Sequence, residues 1–315
     1  MALYSDWEGY MQNFLLGEYI RQRRLDLGLT QAEVCSGICE PITLSRLENG
    51  KQTPSRNRIN AILQRLGLPD DRYYALLSPN ELKIEALKKE IVGCNVTERI
   101  EEGFDKIAQL EKIASADDSL VQQFILRSKV LLGRIDKRYS SKEQLEMLKQ
   151  ALQLTVPRFN LWEIEKFLYT TDEIKIINQI AIVYSDIGDN KKAAEIYYQV
   201  LRYMRKHFDE NVISAGNWPL ILYNYARVLD LCHRYEDGAE CAKECREKCV
   251  KYGHYQFLPD CLEIEAECKY FLGKTKESID LYRQAYYLCK VIGYQDSLDI
   301  IKKEAKEYLN IEFED

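Results

Sequence analysis

The chain has 315 residues, of which 46% are hydrophobic and 30% charged, a balance that excludes wholesale disorder; 15 Gly and 7 Pro are too few for a loop-rich β-sandwich and point to long helices. The net charge of −6 is unevenly spread: residues 15–66 hold eight Lys/Arg against five acids, a net of +3, which leaves −9 for the rest, so only the head suits nucleic acid. No apolar run approaches the roughly 18 residues of a membrane span, and Met1–Asp6 brings an early acid without a basic stretch, so no secretory leader is expected. A cytoplasmic location follows as the expectation, with the ten cysteines reduced.

The first helix is expected over about 15–27, with Leu16, Tyr19, Ile20 and Leu27 at helical spacing and Gly28 placed to stop it. Thr30 followed by Glu33 is a capping box that starts a second helix. Pro41 sits where a first helical turn tolerates proline, and Asn49-Gly50 ends this short third helix. Thr53-Pro54-Ser55 opens a fourth helix, Arg56 to Leu66, closed by Gly67. A junction is expected near 70–80, flanked by Pro69 and Pro79.

Beyond it the chain reads as long amphipathic helices without strand alternation. They come in pairs with a weak internal repeat. Ala181, Tyr184, Gly188, Ala193, Tyr197 and Val200 form one unit; Ala226 and Leu229, then Gly238, Ala242 and Cys245 at the spacing of Ala193, Tyr197 and Val200, the next; Ala266, Gly273, Ser278, Tyr282 and Ala285 a third. An earlier pair falls near Ser119–Gly133 and Lys142–Leu154. The expected fold is all-α: a small head of short helices on a right-handed α-solenoid of helix pairs with a concave inner wall.

Ile20-Arg21, Arg24, Gly28-Leu29-Thr30-Gln31-Ala32-Glu33-Val34, and then Leu44-Ser45-Arg46-Leu47-Glu48-Asn49-Gly50-Lys51 with Pro54-Ser55 resemble the helix-turn-helix domain of the phage-repressor/Xre family. Residues 81–313 resemble tetratricopeptide repeats, best over Asp172–Ala181 with Tyr184 and Gly188-Asp189. Together the two halves resemble the Rgg/PlcR/PrgX group of peptide-pheromone regulators. That resemblance implies a sequence-specific transcription regulator, usually dimeric, controlled by a short signalling peptide on the concave face of the repeats. The organisation expected is a DNA-binding domain at 1–70, a linker at 71–80 and a ligand-binding and dimerisation domain at 81–315.

In the repressor fold the third helix lies in the major groove with its first residues towards base edges. Helical spacing puts Ile42, Ser45 and Arg46 on one side with Thr43 adjacent, and turns Leu44 and Leu47 to the core. Arg46 suits bidentate pairing with guanine or a phosphate contact, Thr43 a hydrogen bond, and Ile42 only a thymine methyl. An apolar Pro41-Ile42 start favours some dependence on DNA shape. Gln31, at the head of the second helix, is implied by the family as a phosphate contact, and Lys51 is a further candidate. The family likewise implies an Arg24–Glu48 ion pair that ties helix one to helix three and belongs to the fold rather than to the DNA site.

A bound peptide needs partners for both its N–H and C=O groups, and Asn offers both. Asn178 and Asn224 fall near groove-facing positions; Arg127 suits a peptide carboxylate; Tyr223, Arg227, Glu263 and Glu267 also project inward on repeat spacing. The acidic body mildly prefers a basic or neutral peptide.

Cys241, Cys245 and Cys249 recur at i, i+4 and i+8, and Cys232, His233, Cys261, Cys268 and Cys289 are possible neighbours. A DNA-binding metal or thiol sensor is therefore an alternative, as is a repeat scaffold for protein partners. No Cys-x2-Cys pair, phosphate-binding Gly-rich loop, nucleophile elbow or His-Glu-x2-His occurs, so no cofactor and no enzymatic activity are expected.

Overall fold

A computed structural model of the chain describes residues 16–52, 54–68, 79–208 and 217–313. The described residues form fifteen α-helices and two short 3-10 turns, with no strands among them. Met1–Asp6, where no secretory leader is expected, Pro69, Thr53 and residues 71–78 of the expected linker lie outside the described residues. Among the described residues no helix is long and apolar enough to cross a membrane. By contacts the chain divides into two compact units, Met1–Val183 with Tyr203–Val212, and Tyr184–Arg202 with Ile213–Asp315.

The first unit begins with α1 (16–26), α2 (Gln31–Cys35), α3 (Pro41–Glu48) and α4 (Arg56–Arg65). The Thr30–Glu33 capping box is closed in both directions, so two backbone N–H groups that the helix leaves unpaired are satisfied. Gly28, Gly50 and Gly67 take the left-handed conformation where α1, α3 and α4 end. Ile20, Val34, Leu44, Leu47, Ile59 and Ile62 close a core around which the four helices wrap, with Leu120 and Leu168 from later in the chain packed against it.

Next come α5 (Pro79–Val96), α6 (Ile100–Ile113), α7 (Ser119–Ile135) and α8 (Ser141–Gln153), each packed on the one before it. The head is seated on this stack by backbone as well as side chains. Gly37 turns at φ +73°, and a Cβ there would lie 2.3 Å from the Thr155 carbonyl oxygen. Gly67 (φ +68°) approaches His207 in the same way, with a Cβ 2.0 Å from its carbonyl oxygen. No other residue type fits either place.

Arg65 is the centre of this seat. Its side chain is buried, and its guanidinium donates to the carbonyls of Val34 (3.0 Å), Ser36 (2.5 Å) and Thr155 (2.9 Å) and to the Glu173 carboxylate (3.3 Å). Glu173 in turn accepts from the Thr170 N–H at 2.6 Å. Thr155 is held from behind, its Oγ1 accepting from Gln123 Nε2 at 2.7 Å.

α9 (Thr171–Asp186) and α10 (Asn190–His207) run from one unit into the other. The second unit continues with α11 (Asn217–Leu231), α12 (Tyr235–Tyr252), α13 (Leu258–Phe271), α14 (Thr275–Ile292) and α15 (Gln295–Leu309), again each packed on its predecessor. Ala181, Ala226 and Ala266 are fully buried, as expected of positions where paired helices approach. Gly188 and Gly273, seven residues after their alanines, turn the chain in the left-handed conformation; in the middle repeat the equivalent residue is His233 (φ +58°). Gly238 lies inside α12, where a Cβ would meet the Cys268 sulfur at 2.9 Å. It is the counterpart of Ala193 and Ser278, the small residues of the second helix.

Replacing Arg65 by Ala leaves Glu173 buried without its cation. It should cost roughly 3–5 kcal/mol of stability, measured by urea unfolding of the full chain; a loss under about 0.5 kcal/mol, the range of ordinary surface substitutions, would show that the seat does not depend on this charge.

Candidate nucleic-acid interface and ligand sites

α3 is two-faced because its polar and apolar residues alternate at helical spacing. Leu44 and Leu47 are fully buried, whereas Ile42 is 57% exposed and Arg46 and Lys51 are exposed. Thr43 and Ser45 are half-buried at the rim. Arg46 is steadied only at long range, its Nη1 3.4 Å from Gln52 Oε1, so its guanidinium can swing to a groove.

Behind this face stands the ion pair implied by the resemblance. Arg24 Nε and Nη2 meet the two Glu48 oxygens at 2.6 and 2.9 Å, and Nη1 donates to the Leu29 carbonyl. The paired geometry keeps the Arg24 guanidinium more firmly protonated than usual, chiefly through its hydrogen bond to Glu48. Gln31 joins the same network, donating from Nε2 to Glu48 Oε2 at 2.7 Å. Its amide is thus directed back towards α3, and what it turns outward is the start of α2.

The expected peptide contacts fall into two sets. Arg127 and Asn178 belong to the first unit. Arg127 borders a polar cavity of about 210 Å³ with Asn57, Asn60 and Gln64 of α4, Lys88 of α5 and Asp172 of α9. Its Nε and the Oδ1 of Asn60 are buried there without a hydrogen-bond partner among the described residues. Buried polar groups left this way mark a place for water or a ligand. Burial also works against the Arg127 charge. Asn178, which does not line that cavity, is only 4% exposed, so a ligand reaches it only if its surroundings open.

The second unit gathers Arg227, Glu263 and Glu267 into one network. Arg227 Nη2 meets Glu263 at 2.5 Å and Nη1 meets Glu267 at 2.9 Å, while Tyr308 donates to Glu267 at 2.9 Å. Asp230 and Glu304 stand beside it, and Tyr282 bonds Glu304 at 3.1 Å. Four carboxylates thus share one guanidinium. Burial, with Glu267 next, pushes Asp230 up to about 7; burial, with Glu263 next, pushes Glu304 up to about 9. Tyr223 and Asn224 precede Arg227 on α11 and are half-buried. Sequence spacing found Arg227, Glu263 and Glu267 but missed Asp230 and Glu304. The signal for Asp230 was its place three residues after Arg227 on the same helix.

The chain matches a helix-turn-helix domain model over residues 15–75 and the model of the RNPP family C-terminal domain over residues 95–310. Among solved structures it is similar to PlcR of Bacillus thuringiensis. The PlcR complex with the peptide PapR7 and DNA shares 21% identity, covering 91% of this chain and 98% of that one, with a TM-score of 0.59. Its apo form shares 20%, covering 92% and 99%, with a TM-score of 0.60. The apo form of the competence regulator ComR from Streptococcus vestibularis shares 17%, covering 94% and 98%, with a TM-score of 0.52. No curated protein matches.

The four-carboxylate network predicts a pH dependence of stability. A carboxylate raised from its ordinary value near 4 to about 9 keeps its proton in the folded chain where the unfolded chain has lost it. Stability therefore falls as pH rises from about 4 through 9. Glu304→Gln should flatten the decline in Tm between pH 6 and 9; a variant curve parallel to that of the parent protein would remove Glu304 from this role.

Proposed function

The chain belongs to the RNPP family, and on that premise we propose that it is a sequence-specific DNA-binding transcription regulator controlled by a short signalling peptide bound to its repeat helices. The observation that carries the reading is α3: buried Leu44 and Leu47 and the Arg24–Glu48 lock hold it in place while Ile42, Thr43, Ser45 and Arg46 face outward. Such a helix can enter a major groove without disturbing the core behind it. Lys51 and the start of α2 at Gln31 then meet phosphates on either side.

The similar PlcR structure holds both a peptide and DNA, as its description states. For this chain the candidate peptide contacts are Arg127 and Asn178 in the first unit, and Tyr223, Asn224, Arg227, Glu263 and Glu267 in the second. A surplus of carboxylates over cations around Arg227 favours a basic or neutral peptide over an acidic one. The protein works in the cytoplasm as a homodimer on a two-fold operator, and binding of the peptide biases the population of DNA-competent heads. The role is regulatory rather than enzymatic.

Selection of binding sites from random DNA, followed by anisotropy titration, tests the head. Arg46→Ala should raise Kd about 10- to 100-fold on the selected site and relax its sequence preference. Lys51→Ala should weaken all sequences alike and lower the salt slope by about one. Absence of any selected sequence, or an Arg46→Ala titration that overlays the parent, would refute the DNA-binding assignment.

Calorimetry with short basic and neutral peptides tests the receptor. Asn178→Ala combined with Asn224→Ala should abolish or strongly weaken the heat of binding seen with the parent protein; unchanged affinity would take both residues out of the site.

A further inference from the structure

Three of the ten cysteines meet at one point inside the second unit. Cys245 and Cys249 lie one helical turn apart on α12, and Cys261 faces them from the first turn of α13. All three are fully buried, and their sulfurs lie within 4.8 Å of one another. Cys261 Sγ is 2.9 Å from Cys245 Sγ. The unit's other buried cysteines do not join them: Cys241 donates to the Leu222 carbonyl, Cys268 sits against Asp230, and Cys289 lies in the core of α13–α15. Within this unit three-way convergence is thus confined to these three among the described residues; in the head only a pair, Cys35 and Cys39, meets, at 3.5 Å.

From this geometry we infer that Cys245, Cys249 and Cys261 form a binding site for a thiophilic d10 metal ion, Zn(II) or Cu(I). Thiolates select such ions over hard cations. A metal–sulfur distance of about 2.3 Å places sulfurs around one ion roughly 3.8–4.0 Å apart. The present sulfur separations, 2.9 Å for Cys245–Cys261 and none above 4.8 Å, bracket that spacing, so holding an ion requires the Cys245–Cys261 pair to open. Binding replaces three S–H bonds by three metal–sulfur bonds and releases three protons, with no change of oxidation state.

The surroundings moderate the charge left behind. Cys261 stands in the first turn of α13, where the helix dipole is positive. The Lys248 ammonium, adjacent in sequence to Cys249, lies 5.1 Å over the Trp218 ring. The two metals differ in what they need beyond sulfur. Cu(I) is content with three thiolates; a closed Zn(II) site takes a fourth ligand. His254, five residues beyond Cys249 and the residue that precedes the 3-10 turn Tyr255–Phe257, is the nearest histidine in sequence to supply it. In either case the ion staples α12 to α13 across their connection at Gly253.

The test uses the full chain, purified reduced and handled without oxygen. It is titrated with Zn(II) against a chromophoric chelator and with Cu(I) presented as its bicinchoninate complex. One equivalent of one of these ions should bind, with affinity falling at least tenfold in Cys245→Ser, Cys249→Ser and Cys261→Ser and unchanged in Cys94→Ser and Cys289→Ser. X-ray absorption of the loaded parent protein needs no variant: three sulfurs identify the Cu(I) form, and three sulfurs with one nitrogen the Zn(II) form. Failure to take up either ion, a metal shell of oxygen and nitrogen alone, equal affinity in all five variants, or a Cys245–Cys261 disulfide in protein from a reducing cytoplasm would each overturn the site.

Discussion

A single buried guanidinium sets the relation of the head to the helices beneath it. Its Nε is buried without a hydrogen-bond partner among the described residues, so Arg65 keeps its charge away from water through the acceptors of its two terminal nitrogens. It finds two carbonyls in the helix-turn-helix core, Val34 and Ser36, and two acceptors in the repeat stack, Thr155 and Glu173. The same hydrogen bonds that satisfy the charge therefore join the domains. Gly37 and Gly67 make the junction close, because each lets backbone touch backbone where a side chain would hold them apart. In such a seat the orientation of α3 follows that of α8 and α9. A ligand that acts on those helices acts on the reading face, provided that it binds the two arrangements of the seat with different affinity. The polar cavity lined by Asn60, Gln64 and Arg127 lies at this same junction.

The second unit solves a related problem with the opposite sign. Here carboxylates are in excess around Arg227, and protonation supplies the neutrality that partner cations do not. Such a network is satisfied only over a range of pH. The cysteine cluster completes the contrast: α12 and α13 are joined by the Arg246–Glu265 ion pair and, apart from it, leave three thiols facing one another.

Much of the head could be read directly from the sequence, because its signals are local. Thr30 and Glu33 are three residues apart, and the alternation of Leu44 and Leu47 with Thr43, Ser45 and Arg46 lies within two turns. Arg65 was not legible. At the end of a polar helix and beside Gly67 it reads as a solvated last-turn cation, and its deciding partners lie 90 and 108 residues away. The middle repeat hid its turn for a different reason. Where the other two repeats turn on Gly188 and Gly273 it has His233, which holds a left-handed conformation that asparagine or glycine usually takes. Gly238, spaced from Ala242 and Cys245 as Ala193 is from Tyr197 and Val200, is the small residue inside α12 that helix packing requires. Gln31 illustrates a third limit: its residue type fits a phosphate contact, but the acceptor that claims its amide is Glu48, itself positioned by Arg24.

Hydrogen exchange of the full chain under native conditions examines the Arg65 seat most directly. If head and first repeats are one cooperative body, the slowest amides of α4, α8 and the start of α9 share one opening free energy and respond alike to low urea. Amides of α2–α4 that open at distinctly lower free energy than those of α8 and α9, with a smaller urea dependence, would show a head that unfolds alone and contradict the coupling.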